Sequence, residues 1–373
     1  MLINRIPFTE LFERVQNELI RDKSSDSATE NKYKGAINEV YASDLVLMLN
    51  EDLLRKESYI STTADYSTGT ITVAAAGSSI TGSSTAWTSA NSDDALLKAD
   101  GEDHWYRVAY SSGTELTLSS PSAWVDDAVS AGNYRLIHDR YALASDFSHM
   151  CIDDIEEPEA VYRMSGGSRA FLTPMDPGQW DKQFHFNYGT PGEYCIKWVT
   201  GSPYMYLNPA PTDAEAVFYN YIPALTVMTE YTTGYISSIT NGSTAVVGSG
   251  TTWSTSVSLA SAKYLRIDAD GVGSDSRWYQ ISSITDNTHI VLGSNYGGTS
   301  ISSGTSDDTY TISSVSLWPA RVDYAMLYGA ALKLDPTAKD ANTWTNIYAA
   351  KMEGLMSLEG RKIYGQKGAF KRN

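Results

Sequence analysis

The chain has 373 residues, 42% of them hydrophobic and 19% charged, enough for two or three domains with a core each. Its 28 Lys and Arg stand against 44 Asp and Glu, a net charge of −16 that disfavours a nucleic-acid binder held by charge. No apolar run approaches a membrane span and no signal-peptide pattern opens the chain. Two cysteines, Cys151 and Cys195, are too few for a disulfide scaffold, so the expectation is folding in a reducing cytoplasm without a membrane partner.

After Pro7, apolar residues at Phe8, Leu11, Phe12, Val15 and Leu19 fall on one helical stripe. Residues 23–27 have no such period and read as a loop. A second helix is expected from about Glu30, with Tyr33, Ile37, Val40, Tyr41, Leu45, Met48 and Leu49 on its apolar side, ending near Lys56.

The middle of the chain contains an internal repeat. Gly82 precedes Trp87 by five residues, and Gly248 precedes Trp253 by the same interval, each within a Ser/Thr-rich run. An acidic Gly turn follows in both copies (Asp100-Gly101, Asp270-Gly271), then Trp105-Tyr106 or Trp278-Tyr279, then an alternating strand with Leu116 and Leu118 or Ile290 and Leu292. Each copy closes on a tyrosine strand at Tyr134 or Tyr310. Short strands between Gly turns at this spacing predict a small antiparallel sandwich or barrel. Between the copies, Tyr194–Val199, Tyr204–Leu207 and Val217–Tyr221 read as a meander belonging to the helical core.

Pro319 opens a further helix carrying Val322, Tyr324, Leu327, Tyr328, Ala331 and Leu334. Pro336 breaks it, and a last helix carries Trp344, Ile347, Tyr348, Met352, Leu355 and Leu358. Helices at both ends predict that the termini pack together. The fold class is therefore α+β: a discontinuous helical-bundle core with a β meander, plus two duplicated, inserted antiparallel β-sandwich or barrel modules. The boundaries are 1–66 for the N-terminal helices, 67–137 and 231–314 for the modules, 138–230 for the meander, and 315–373 for the C-terminal helices and tail.

Evidence for chemistry is thin. There is no nucleophile elbow, P-loop, dinucleotide fingerprint or H-E-x-x-H. Asp153-Asp154 and Glu156-Glu157 have the residue types of a glycosidase pair, yet such runs are usually solvated acidic loops. Cys151, Cys195, His149 and His185 lack the tight spacing of a zinc site. Asp268, Asp270 and Asp275 around Gly271 and Gly273 look somewhat like a calcium loop, which a Gly/Asp hairpin turn explains equally. No catalytic residue, metal or cofactor is assigned. On a strand, one member of each Trp-Tyr pair faces outward, so Trp105, Tyr106, Trp278 and Tyr279 are candidate partner contacts.

The last thirteen residues hold Arg361, Lys362, Lys367, Lys371 and Arg372 with no acid, a charge of +5 against −21 for the rest. With Tyr364 and Phe370 as anchors, this tail reads either as a solubilising extension or as an arm that docks on a neighbour.

In its layout the chain resembles the head-to-tail connecting adaptor proteins of tailed bacteriophages. Ile37-Asn38-Glu39-Val40 is similar to the Asn-Glu step of that family's second helix. Leu143-Ala144-Ser145-Asp146-Phe147 is similar to its L-P-x-D-F step without the proline. Gly189-Thr190-Pro191-Gly192-Glu193-Tyr194 is similar to G-T-P-x-x-Y, and Leu207-Asn208-Pro209-Ala210-Pro211 to L-x-P-x-P. Tyr328-Gly329-Ala330-Ala331-Leu332 is similar to the aromatic-Ala-Leu pattern of its terminal helices. The resemblance covers about 1–60, 138–230 and 315–373.

It implies a structural virion protein of the neck or tail, not an enzyme, assembled in the host cytoplasm. Such a protein forms a dodecameric ring with copies of itself beneath the portal protein and extends the DNA channel. DNA passes without sequence-specific binding. Tail tube, nozzle or fibre proteins are further implied partners, and residues 359–373 are expected at the portal interface. The competing readings are a receptor-binding or fibre-type protein whose β modules bind carbohydrate, and a polysaccharide-degrading enzyme.

Overall fold

A computed structural model describes residues 5–21, 26–49, 51–151, 160–183, 187–259, 262–268 and 277–369, with the backbone alone at 51–52, 182–183 and 356–369. The fold is α+β, and its chain divides into two compact units, residues 1–54 with 225–373 and residues 55–224. Each unit holds one copy of the repeat. The second copy thus groups with the terminal helices, and the meander groups with the first copy.

In the first unit, Phe8–Arg14 is α-helical and Val15–Ile20 continues with π-helical geometry. Phe8, Leu11, Phe12 and Val15 are buried, as their spacing requires. Asp26 caps Ser27–Glu39 by accepting from the Thr29 N–H at 2.9 Å. The α-helical run ends at Met48, where Leu49 turns extended, and a 3-10 turn at Glu51–Leu54 carries helical backbone on to just before Lys56. Lys56 instead begins a strand, Lys56–Ser61, in the other unit.

Asp323–Leu334 is the hub of the helical layer, packing on Phe8–Arg14, Ser27–Glu39 and the C-terminal helix Ala341–Ala369. Gly329 makes that convergence possible. A Cβ there would stand 3.1 Å from Val40 Cγ1 and 3.2 Å from Tyr348 Cε2. The two chain ends are also tied by polar bonds. The Arg5 guanidinium donates to the carbonyls of Ser316 and Trp318, and the Ile6 N–H donates to Asp323 Oδ2 at 3.0 Å.

The second repeat copy folds as a seven-stranded sheet in the order Glu230–Tyr231, Tyr310–Ser314, Lys263–Ile267, Tyr279–Ile284, His289–Leu292, Ala245–Ser249 and Tyr235–Ile239. The first copy has the order Val129–Gly132, Thr70–Val73, Ser79–Ser83, Glu115–Ser120, Tyr106–Ser112, Leu96–Ala99 and Tyr134–Ile137. Six strands correspond one to one. The seventh lies at opposite ends of the two sheets, and each sheet keeps an isolated bridge where the other has a full strand, Tyr66 with Leu136 and Ile239 with Ile301.

The repeat's glycine and tryptophan have one shared explanation. At Gly82 a Cβ would come within 2.7 Å of the Trp87 ring, and at Gly248 within 2.6 Å of the Trp253 ring, so only glycine lets the indole lie flat on the strand. Both indoles are buried and donate from Nε1 to a tyrosine hydroxyl, Trp87 to Tyr134 at 2.9 Å and Trp253 to Tyr310 at 2.8 Å. Each tyrosine then donates to a carbonyl, that of Thr68 or Thr233.

In the second unit, Ala216–Pro223 is the central strand of a five-stranded sheet and pairs antiparallel with Lys56–Ser61, Val161–Ser165 and Phe147–Met150. Ser168–Phe171 adds to Val161–Ser165. A second sheet runs Thr173–Pro174, Glu193–Val199, Ser202–Asn208 and Arg140–Ala142. Their inner faces share a core that includes Ile60, Val161, Leu172, Met205, Val217 and Tyr219.

Candidate assembly surfaces

The motifs behind the family resemblance make specific contacts. Asn38 clamps the strand approach at Met228 from both sides, its Nδ2 donating to the Met228 carbonyl at 3.0 Å and its Oδ1 accepting from the Met228 N–H at 2.7 Å. Glu39 pairs with Lys333 of the hub helix at 2.7 Å, so neighbouring residues of one motif bind two different elements. Asp146 accepts from Lys56 Nζ at 2.7 Å and from the Tyr221 hydroxyl at 2.8 Å, and those partners hold its carboxyl below the ordinary range against the opposing effect of burial. Residues 188–194 and 207–211 lie side by side: Tyr188 pairs with Ala210, Glu193 with Asn208, and Asn208 Nδ2 donates to Glu193 at 2.8 Å.

The C-terminal helix is 29 residues long, about 43 Å, whereas the hub helix has 12 residues, about 18 Å. Among its described side chains, which reach residue 355, Ala341, Trp344, Met352 and Leu355 are buried. Helical backbone continues through 359–369, so the basic segment is a prolongation of this helix. Arg361, Lys362, Gln366 and Lys367 are adequate helix formers and no proline intervenes. The side chains of Arg361, Lys362, Tyr364 and Lys367, and all of Phe370, Lys371 and Arg372, lie outside the described residues.

Exposed apolar groups cluster on the same helical layer. Leu47 is 87% exposed, and Met48 and Tyr324 about half. The C-terminal helix touches two of them, Tyr348 donating to the Met48 sulfur and Lys351 lying over the Tyr324 ring. The second unit carries a different surface, an aromatic row across four strands. Tyr59 stands opposite Phe218, Phe218 opposite Tyr162, and Tyr162 opposite Phe171, with ring centroids 5.1 to 6.0 Å apart. Its outer members Tyr59 and Phe171 are exposed, whereas Tyr162 between them is buried with the Arg169 guanidinium over its ring. Sequence reasoning missed this row because no repeat marks it, though the alternation in Val217–Tyr221 turns Phe218 away from its buried neighbours Val217 and Tyr219.

Of the Trp-Tyr candidates, Tyr106 and Tyr279 are corrected to core residues. Tyr106 stacks on Trp124 at 4.0 Å, and its hydroxyl accepts the N–H groups of Val125 and Asp126. Tyr279 packs on Tyr296, and its hydroxyl accepts the Gly297 N–H. Trp105 and Trp278 are partly exposed, the latter covered by the Arg266 guanidinium at 4.7 Å.

The other sites considered from sequence do not converge. Cys195 and Cys151 are buried while His149 is exposed, and burial pushes the Cys195 thiol up to about 11. Asp268 is engaged by Arg266 and Thr311. Residues 153–157, His185, Asp270, Gly271, Gly273 and Asp275 lie outside the described residues. Among the described residues no group of three or more His, Cys, Asp or Glu is arranged to hold a metal ion, and no helix is long and apolar enough to cross a membrane. Comparison with family models, with curated proteins and with solved structures gives no match.

Proposed function

We propose that this chain is a structural head-to-tail adaptor of a tailed phage, assembling as a ring that adjoins the portal and continues the DNA channel. The observation that carries the reading is the helical layer: both chain ends meet on the Asp323–Leu334 hub, and from it a helix of about 43 Å runs on into the basic segment. A long terminal helix ending in cations and flanked by exposed apolar groups suits insertion into an adjoining protein better than chemistry. The ordered family-like motifs add support, since Asn38, Glu39 and Asp146 tie together elements distant in the chain.

In this reading the helical layer and the aromatic row serve packing around the ring, and the C-terminal helix serves the portal. The chain's excess of carboxylates lets duplex DNA slide past without counterion-releasing contacts. The test is a chain ending at Leu358. It keeps the buried Ala341, Trp344, Met352 and Leu355, and it should stay folded while losing retention on immobilised portal rings by at least about tenfold, or 1.4 kcal/mol. Unchanged retention would sink the docking role.

A further inference from the structure

Lys263 is an anomaly in the first unit. It sits on the strand Lys263–Ile267, opposite Ser314, and is only 9% exposed. A lysine with so little exposed surface is normally paired, because desolvating its charge is costly. Here no carboxylate pairs with it among the described residues, and burial alone pushes its pKa below the usual lysine value. The nearby Glu230 is committed elsewhere, to Lys34 and to the Thr9 hydroxyl.

The lysine lines a cavity of about 440 Å³ formed by the approach segment 226–231, residues 256–258 and Ile312. Val227, Val257 and Ile312 give it apolar lining, and Thr229 and Ser256 add polar lining. We propose that this cavity receives a carboxylate carried on a short apolar stem, with Lys263 as its counter-ion. A single cation matches a singly charged group, and Glu230, also in the lining, opposes phosphate and other multiply charged anions more strongly than a single carboxylate. The stem would lie against the valine and isoleucine walls. A carboxylate of this kind can be a free short-chain acid or the acidic side chain of a protein segment.

Acylation of lysines by an amine-reactive ester at neutral pH, read by peptide mass spectrometry, tests the assignment in the full-length chain. Butyrate, N-acetylglutamate amide and inorganic phosphate are the added probes. Butyrate should slow modification of Lys263 selectively, about fivefold at four times its dissociation constant, and raise the melting temperature. Lys263→Met should lose that thermal response while remaining at least as stable as the parent, and Lys263→Gln should lose it too. Stronger protection by the glutamate derivative than by butyrate assigns the site to a protein segment, and the reverse assigns it to a free acid. Equal or better protection by phosphate, no protection by either carboxylate, or a lower melting temperature for both variants would overturn the proposal.

Discussion

Asp323 shows how one side chain can make the union of the chain ends depend on pH. It is fully buried at the start of the hub helix; Oδ2 accepts from the Ile6 N–H, and Oδ1 has no partner. Burial pushes its carboxyl up to about 7, against the opposing effects of the Ile6 bond and the Arg5 charge. Above about pH 4 the unfolded chain has released this proton and the folded chain still holds it. The group's contribution to stability is therefore full in acid and is lost as pH rises to about 7, at about 1.4 kcal/mol per pH unit. Asp323→Asn should flatten the unfolding free energy over that window relative to the parent, as measured by urea midpoints from pH 4.5 to 7.5. An unchanged difference across the window would show that Asp323 ionises normally.

At the scale of the element, the repeat copies are built around one glycine-tryptophan contact. Gly82→Ala and Gly248→Ala should each cost about 1–3 kcal/mol, because the added methyl must displace an indole already hydrogen-bonded at its far edge. Gly113→Ala, whose methyl meets nothing closer than 3.7 Å, should stay within about 0.5 kcal/mol in the same denaturant titration. The Gly-to-Trp interval was legible in sequence, and so were the Tyr134 and Tyr310 strands. Their hydrogen-bond relay was not, because its members are 47 and 57 residues apart. A readable signal went unused: Tyr66-Ser67-Thr68-Gly69 and Tyr231-Thr232-Thr233-Gly234 begin the copies alike, and both glycines have positive φ with a strand carbonyl 2.5 Å from any Cβ. The terminal helices were legible from apolar period. The second was expected to run unbroken to near Lys56; the apolar pattern through Leu49 hides an extended residue there, after which only a 3-10 turn at Glu51–Leu54 leads to the strand that pairs Lys56 with Tyr221.

For the whole molecule, the charge of −16 with a cationic end has a solution consequence. If the chain assembles as proposed, its rings should fail to retard duplex DNA in gel electrophoresis even at about 50 mM salt, where phosphate contacts by a basic channel would be strongest. Retardation that weakens steeply with added salt would point to a channel that grips. The lone Lys263 and the aromatic row were invisible at this scale. Composition reports how many cations and rings exist, whereas their meaning lies in which ones lack a partner or face outward.

The connection between the two units carries a mechanical corollary. The unit of residues 55–224 is entered and left by paired antiparallel strands, Lys56 standing opposite Tyr221. Tension along the backbone at those two crossings would load the ladder at one end and open its bonds in succession, like a zipper, instead of shearing them all together. Residues 55–224 thus form a yielding element under pull.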